Sequence, residues 1–128
     1  MILDSSAVVA VMNGEPESAA FVQLLEASDH TSMSTASALE VHLVMRPARA
    51  REVTEFLTEA AVELVPFDEA QLDAARTALA SYGRGSRHPA KLNFGDCMAY
   101  ALAKVTGQPL FFKGDDFSHT DVEPAYRP

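Results

Sequence analysis

Short apolar segments alternate along the chain with longer stretches of helical periodicity, and this order most strongly limits the folds open to it. The segments that we predict as strands are residues 1–3, 31–34, 62–67 and 110–112. Strands that alternate with helices favour a parallel sheet covered on both of its faces. We therefore predict an α/β fold with a parallel β-sheet flanked by helices on both faces. Residues 122–128 are a candidate for one last short strand.

The stretches between the predicted strands carry signals for the beginning and end of helices. The first predicted helix ends at Met12. The others cover residues 16–27, about 35–45, 48–60 after the break at Pro47, 69–82 behind a capping Asp68, and 94–105. Residues 83–93 fit neither pattern, and their glycines and proline predict a loop.

A length of 128 residues predicts one domain, spanning residues 1–128. The single cysteine excludes an internal disulfide framework and a zinc site built from cysteines. No apolar run approaches the roughly 20 residues that a membrane-spanning helix needs, and the N-terminus lacks a basic leader. We therefore expect a soluble, cytoplasmic protein without a membrane partner.

The net charge of −8 argues against a polyanionic partner. The charges are unevenly placed, however, because the segment from Arg76 to Lys113 contains a single acid, Asp96, among its bases. Within the predicted loop, Arg84, Arg87 and Lys91 are candidates for phosphate contacts. A merely solvated loop is the competing interpretation.

Carboxylates follow several of the predicted strands or begin the next helix. They are Asp4, Glu40, Asp96, Asp115 and Asp116. The carboxyl ends of parallel strands lie at one edge of the sheet, where function gathers. Simpler explanations exist, because aspartates favour helix caps, first helical turns and tight turns.

Glu40 is harder to explain structurally, because its sequence neighbours are apolar and a lone inward carboxylate would cost several kcal/mol. A buried pair with Arg46, Arg49 or Arg51 is the alternative. If the carboxylates converge, they need a cation, because like charges raise one another's pKa. An oxygen-only ligand set suits Mg²⁺ or Mn²⁺, which can activate water and stabilise charge on a phosphoryl group.

Four motifs follow one another along the chain, at residues 4–7 (DSSA), 34–40 (STASALE), 92–97 (LNFGDC) and 112–117 (FKGDDF). In this order, and with further similarity at 83–90 and 118–122, they resemble PIN-domain ribonucleases, and most closely the bacterial toxins of the VapC type. The resemblance spans essentially the whole chain. It implies a PIN-like α/β/α sandwich.

The resemblance also implies roles for individual residues. Asp4, Glu40 and Asp96 match the three acidic positions that hold Mg²⁺ or Mn²⁺ in such enzymes, and the fourth acid is Asp116 or, as the alternative, Asp115. Ser6 matches a hydroxyl that orients the first aspartate or touches a phosphate, and Ser5 stands where threonine is common. Arg84, Arg87 and Lys91 then become candidates for RNA contacts, and we expect Lys113 to offset the local carboxylates.

The implied function is that of a Mg²⁺-dependent endoribonuclease toxin that cleaves structured RNA, such as tRNA or rRNA, and inhibits translation. The implied partners are the RNA substrate, a cognate antitoxin that neutralises the toxin, and a second copy in a homodimer or a toxin–antitoxin hetero-oligomer. Two alternatives remain open. One is a receiver-like phosphoacceptor domain, which Lys113 fits but the serines after Asp4 do not. The other is a non-catalytic binding module.

Overall fold

The computed structural model describes all 128 residues. Its strands are β1 (Ile2–Leu3), β2 (Ser32–Ser34), β3 (Glu63–Val65) and β4 (Leu110–Phe111). Its helices are α1 (Ser5–Met12), α2 (Ser18–Ala27), α3 (Thr35–Met45), α4 (Ala50–Glu59), α5 (Glu69–Tyr82) and α6 (Phe94–Thr106). None of these helices is both long enough and apolar enough to cross a membrane.

The four strands form one sheet in the order β3-β2-β1-β4, and every pair of neighbours is parallel. In the centre, Ile2 lies opposite Ser32 on one side and Leu110 on the other. The predicted parallel sheet is therefore confirmed. All four carboxyl ends lie at the same edge, where β1 leads into Asp4 and β2 leads into α3.

Helices cover both faces of the sheet, as predicted. Each central strand contributes to the core on both faces, because successive side chains in a strand point to opposite sides. Ile2 and Leu110 belong to the hydrophobic cluster that is completed mainly by α5 and α6. Leu3 and Phe111 belong to the second cluster, to which α1, α2, α3 and α4 contribute. The two residues of each central strand thus belong to two different cores.

Several predicted boundaries are wrong in instructive ways. The third strand covers only Glu63–Val65 rather than residues 62–67, because it pairs with β2 alone and Pro66 has no amide to continue the ladder. Pro47 begins a short 3₁₀ turn instead of a helix, so α4 begins at Ala50. The tail contributes a single parallel bridge from Pro124 to Leu110, not a strand.

The segment of residues 83–93, hereafter the basic loop, is folded onto the body of the protein. The amide of Leu92 donates to the carbonyl of Tyr82 at 2.7 Å, and the Leu92 side chain is buried. The His88 ring packs edge-on against Tyr82 with centroids 4.8 Å apart, while its Nδ1 accepts the Ala90 amide at 3.1 Å. These contacts fix the loop at the entrance to α6.

Candidate active site

Asp4 combines a structural role with an unused buried oxygen. Its side chain is 2% exposed and caps α1, where Oδ2 accepts the Ser6 amide at 3.0 Å and also the Ser6 hydroxyl. Its Oδ1 is buried and has no hydrogen-bond partner. Burying an oxygen without a hydrogen-bond partner costs free energy. Helix capping therefore explains the position of Oδ2 but not the burial of Oδ1.

Ser6 links the ends of two neighbouring strands through its hydroxyl. That hydroxyl donates to Asp4 and accepts the amide of Lys113, just beyond β4, at 3.0 Å. The Lys113 ammonium turns away and pairs with Glu15, and with Glu17 at 3.0 Å. The expectation that Lys113 offsets the local carboxylates of the site was therefore wrong, because its ammonium pairs with two glutamates that lie just before α2.

Glu40 projects from α3 and is half-buried. The Ser5 hydroxyl donates to its Oε1, and its Oε2 lies against Gly95 at the start of α6. It forms no salt bridge. The interpretation of a buried glutamate–arginine pair was wrong, because Arg49 pairs with Glu52 and Arg51 with Glu55, while Arg46 forms no salt bridge.

Asp96 lies in the first turn of α6, as predicted, and is 9% exposed. It forms a capping box with Asn93: the Asn93 amide donates to Asp96 Oδ2 at 2.9 Å, and the Asp96 amide donates to Asn93 Oδ1 at 2.9 Å. Such reciprocal bonds hold a side chain in one orientation at a helix start. The carboxylate is thereby fixed before any ligand arrives.

Burial and the charges of neighbouring carboxylates raise the pKa values of both Asp4 and Asp96. Burial raises the pKa of Asp4 to about 6, with a further upward contribution from Glu40 and opposing hydrogen bonds from Ser6 and Ser5. Burial likewise raises the pKa of Asp96 to about 7, aided by the charges of Asp4, Asp116 and Glu40. Asp4, Glu40, Asp96 and Asp116 thus form one electrostatic cluster, hereafter the carboxylate cluster.

The two candidates for the fourth acid face different surroundings, although both are exposed. The charge of Asp116 contributes to the raised pKa of Asp96. Asp115 lines a cavity of about 570 Å³ together with residues such as Phe112 and Phe117. Asp116 is therefore the candidate whose charge acts on the carboxylate cluster, while Asp115 lines the cavity.

Comparisons with known proteins identify the family of the chain. The family model of the PIN domain matches residues 1–123. The chain belongs to the PIN domain family. It is 50% identical over 127 residues to ribonuclease VapC30 of Mycobacterium tuberculosis, covering 95% of each chain. The predicted family, the PIN-domain ribonucleases of the VapC type, is confirmed, and the receiver-like alternative is disfavoured.

Solved structures show the same fold as this PIN domain. A chain of a toxin–antitoxin complex from Klebsiella pneumoniae superposes with a TM-score of 0.73 at 17% identity, covering 99% of this chain and 98% of that one. VapC20 of Mycobacterium tuberculosis, described as a sarcin–ricin loop cleaving toxin, superposes with a TM-score of 0.72 at 16% identity, covering 96% and 98%. The predicted PIN-like α/β/α sandwich is confirmed.

The basic loop of this PIN domain carries cations that the protein itself does not neutralise. Arg84, Arg87 and Lys91 are exposed and take part in no salt bridge. Five bases elsewhere on the surface are paired, namely Arg49, Arg51, Arg76, Lys104 and Lys113, whereas Arg46 and Arg127 also form no salt bridge. The loop leads directly into Asn93 and α6, so its free cations lie on the chain just before Asp96.

Sequence reasoning missed three residues that arrange the carboxylates: Ser5, Asn93 and Gly95. The Asn93–Asp96 spacing is that of a capping box and could have been recognised. The contacts of Ser5 and Gly95 with Glu40 join distant segments and leave no local signal. Cys97, next to Asp96, is a buried core residue, and burial raises the pKa of its thiol to about 11.

Proposed function

We propose that this PIN domain is a metal-dependent endoribonuclease toxin that cleaves structured RNA, such as tRNA or rRNA, and thereby inhibits translation in the cytoplasm. The observation that carries the proposal is the buried, unpartnered Asp4 Oδ1 within a cluster of carboxylates. The name of VapC30 as a ribonuclease supports the reaction class. Residues 1–128 act as one PIN-like nuclease domain, since the carboxylates come from segments between β1 and the turn after β4.

In this proposal Asp4, Glu40, Asp96 and Asp116 hold Mg²⁺ or Mn²⁺. The donor set fits, because these ions prefer carboxylate oxygens and Asp4 Oδ1 has no other partner. No group of three or more His, Cys, Asp or Glu side chains is arranged in the structure so that it could already hold an ion. Binding therefore requires the four side chains to move closer together around the ion.

The division of labour follows from how each carboxylate is held. When bound, a divalent cation lowers the pKa of water and offsets charge on a phosphoryl group. Asp4 is fixed by Ser6, and Asp96 is fixed by Asn93, so both are oriented in advance. Pre-oriented groups spend less free energy on reorganisation during the reaction. Glu40 and Asp116 complete the site from α3 and from the turn after β4.

The function is tested by incubating the purified protein with total RNA in EDTA, Mg²⁺ or Mn²⁺ and sequencing the 5′ ends of the fragments. We expect discrete cleavage sites with metal and none in EDTA. RNA that stays intact with both metals would contradict the proposal and favour the non-catalytic binding module. Cleavage that persists in EDTA would contradict the metal dependence.

Asp116 is proposed as the fourth acid, and paired variants separate it from Asp115. We expect Asp116→Asn to weaken Mn²⁺ binding and RNA cleavage by at least about tenfold, the lower range for residues that support a metal site. Asp115→Asn removes the same charge one residue away, on the cavity side of the turn, and should retain both properties. Calorimetric titration and initial rates measure the two effects; the reverse pattern would assign the role to Asp115.

The basic loop is proposed to contact RNA phosphates through Arg84, Arg87 and Lys91. We expect Arg84→Ala/Arg87→Ala to raise KM for RNA while leaving kcat nearly unchanged. The slope of log affinity against log salt should shrink by about 0.7 for each lost contact with single-stranded RNA. The matched control is Arg51→Ala/Arg76→Ala, which removes equal charge from paired surface sites. Equal effects of the two double variants would reduce the loop to a solvated surface.

The proposed homodimer rests on an exposed apolar face. Leu39 is 69% exposed and Leu43, one turn further along α3, is 78% exposed; Phe94 at the start of α6 is 76% exposed. Large exposed apolar residues in one region mark interaction surfaces. Sedimentation at several concentrations should show a dimer that Leu43→Glu dissociates. A wild-type monomer at all concentrations would rule the homodimer out.

The proposed antitoxin partner follows from the charge of the site. An exposed arginine of a partner can bind clustered carboxylates through charge-assisted bonds, and the Klebsiella pneumoniae chain with the same fold comes from a toxin–antitoxin complex. We expect a cognate antitoxin to copurify with this chain in a hetero-oligomer and to suppress cleavage. A candidate antitoxin that binds without reducing the cleavage rate would contradict neutralisation at this site.

A further inference from the structure

Gly95, between Phe94 and Asp96 at the start of α6, lies against the side chain of Glu40 from α3. A Cβ atom placed on Gly95 would stand 2.6 Å from Cδ of Glu40 and 2.9 Å from its Oε1, and closer still to its Oε2. Non-bonded carbon atoms prefer about 3.5–4.0 Å. Glu40 can therefore occupy its position only because residue 95 has no side chain.

The backbone at Gly95 does not itself require glycine. Gly95 is a helical residue of α6, whereas the glycines with positive φ are Gly14, Gly107 and Gly114. Glycine within a helix is less favourable than alanine by about 0.5–1 kcal/mol. The contact with Glu40, and not the local conformation, is therefore what distinguishes glycine from alanine here.

The contact holds Glu40 from one side while Ser5 holds it from the other. Ser5, which follows Asp4 in the chain, donates its hydroxyl to Oε1 of Glu40. Gly95, which precedes Asp96, lies against Oε2 of Glu40. A side chain at position 95 would leave the Ser5 hydroxyl free to donate to Glu40, but it would fill the space against Gly95 that the Glu40 carboxylate occupies. Because the carboxylate is the end of a flexible side chain, Glu40 would rotate toward solvent and the helices could stay in place.

We propose that Gly95 is a positioning residue, whose missing side chain admits Glu40 to the carboxylate cluster beside Asp96. The functional part of this inference rests on the proposed metal-dependent reaction. The structural part, that a side chain at position 95 displaces Glu40, does not.

The first test is Gly95→Ala, measured by Mn²⁺ calorimetry, RNA cleavage and thermal unfolding. We expect Mn²⁺ affinity and kcat to fall by at least about tenfold, as for residues that orient metal ligands, with KM for RNA nearly unchanged. The unfolding temperature in EDTA should stay equal or rise, because alanine favours the helix. Wild-type Mn²⁺ affinity in Gly95→Ala would overturn the inference.

A double-mutant cycle with Glu40 provides the matched control, since contacting residues are non-additive. In a Glu40→Ala background, Gly95→Ala should change Mn²⁺ affinity less than twofold, because no carboxylate remains to be displaced. The shorter Glu40→Asp should recover part of the affinity lost in Gly95→Ala. Effects of the two alanine substitutions that simply add would overturn the inference. If Gly95→Ala alone fails to fold, folding of the double variant would support the same contact.

The metal-free structure of Gly95→Ala, determined by crystallography, separates this inference from the proposed function. Displacement of the Glu40 carboxylate from its wild-type position supports the inference, even if neither protein binds metal or cleaves RNA. A Glu40 carboxylate that stays against residue 95 overturns it, even if the wild-type protein is an active nuclease.

Discussion

Replacing Asp4 by asparagine is expected to reduce RNA cleavage by at least about a hundredfold, the effect of losing a group that stabilises charge in a transition state. The same variant should be more stable than the wild type at pH 8 in EDTA. Asp4 is 2% exposed, and burial raises its pKa to about 6, so the ionised side chain at pH 8 destabilises the metal-free fold. Each unit of pKa shift corresponds to about 1.4 kcal/mol.

Asparagine isolates this charge because it preserves the shape and the cap. Asparagine and aspartate cap helices about equally well, so the Asn oxygen can still accept the Ser6 amide that Asp4 Oδ2 accepts now. Urea unfolding at pH 8 and initial cleavage rates measure the two effects. Glu26→Gln is the control, since Glu26 is exposed and forms no salt bridge. Full activity of Asp4→Asn would sink the metal mechanism, and lower stability would contradict the burial argument.

The existence of each strand, though not its length, was predictable from the local sequence. Ile2 and Leu3 had to be buried on opposite sides of a central strand, and the structure places them in the two cores. The length of β3 was not predictable from its apolar residues. It depends on which neighbour it pairs with, and Pro66 ends that pairing.

Local sequence predicted the positions of some members of the carboxylate cluster but not the surroundings of others. Asp4 and Asp96 sit at the beginnings of helices, positions that capping patterns reveal, and the structure finds both there. The surroundings of Glu40 depend on Ser5, which is 35 residues away in the chain, and on Gly95. Pattern reasoning offered an arginine partner instead, because it could compare Glu40 only with charges nearby in sequence.

The choice between Asp115 and Asp116 likewise depends on the folded structure rather than on the local sequence. Both follow Gly114, whose φ of 97° gives the turn a backbone that L-residues rarely adopt. The resemblance could rank the two only by motif regularity, whereas in the folded protein the charge of Asp116 contributes to the raised pKa of Asp96. Tertiary geometry therefore adds support for Asp116 where the sequence leaves two candidates.

Metal binding is expected to stabilise the protein strongly at pH 8 and very little at pH 5. Burial raises the pKa of Asp4 to about 6 and that of Asp96 to about 7, from an ordinary value of 3.8. A raised pKa means that the folded state binds protons more tightly than the unfolded state. The stability contributed by these two groups is therefore fully present below about pH 4 and is lost as the pH rises through 6 and 7.

A divalent cation reverses this loss because it binds only deprotonated carboxylates. At pH 8 both aspartates are ionised, and saturating Mn²⁺ at a hundredfold excess over its Kd would add about 2.7 kcal/mol. At pH 5 protons compete for the same oxygens, so the apparent Kd rises and the gain shrinks. Melting temperatures with Mn²⁺ and with EDTA at pH 5, 6, 7 and 8 measure the difference.

The control for this pH dependence is Asp4→Asn/Asp96→Asn, which removes both titrating groups while leaving every other charge of the protein in place. Its melting temperature should respond weakly to Mn²⁺ at all four pH values. Subtracting its profile in EDTA from that of the wild type isolates the contribution of Asp4 and Asp96, which should fall from pH 5 to pH 8. A metal-induced shift that is equal at pH 5 and pH 8 would place the bound ion away from these two carboxylates, because their titration would couple binding to pH in this range.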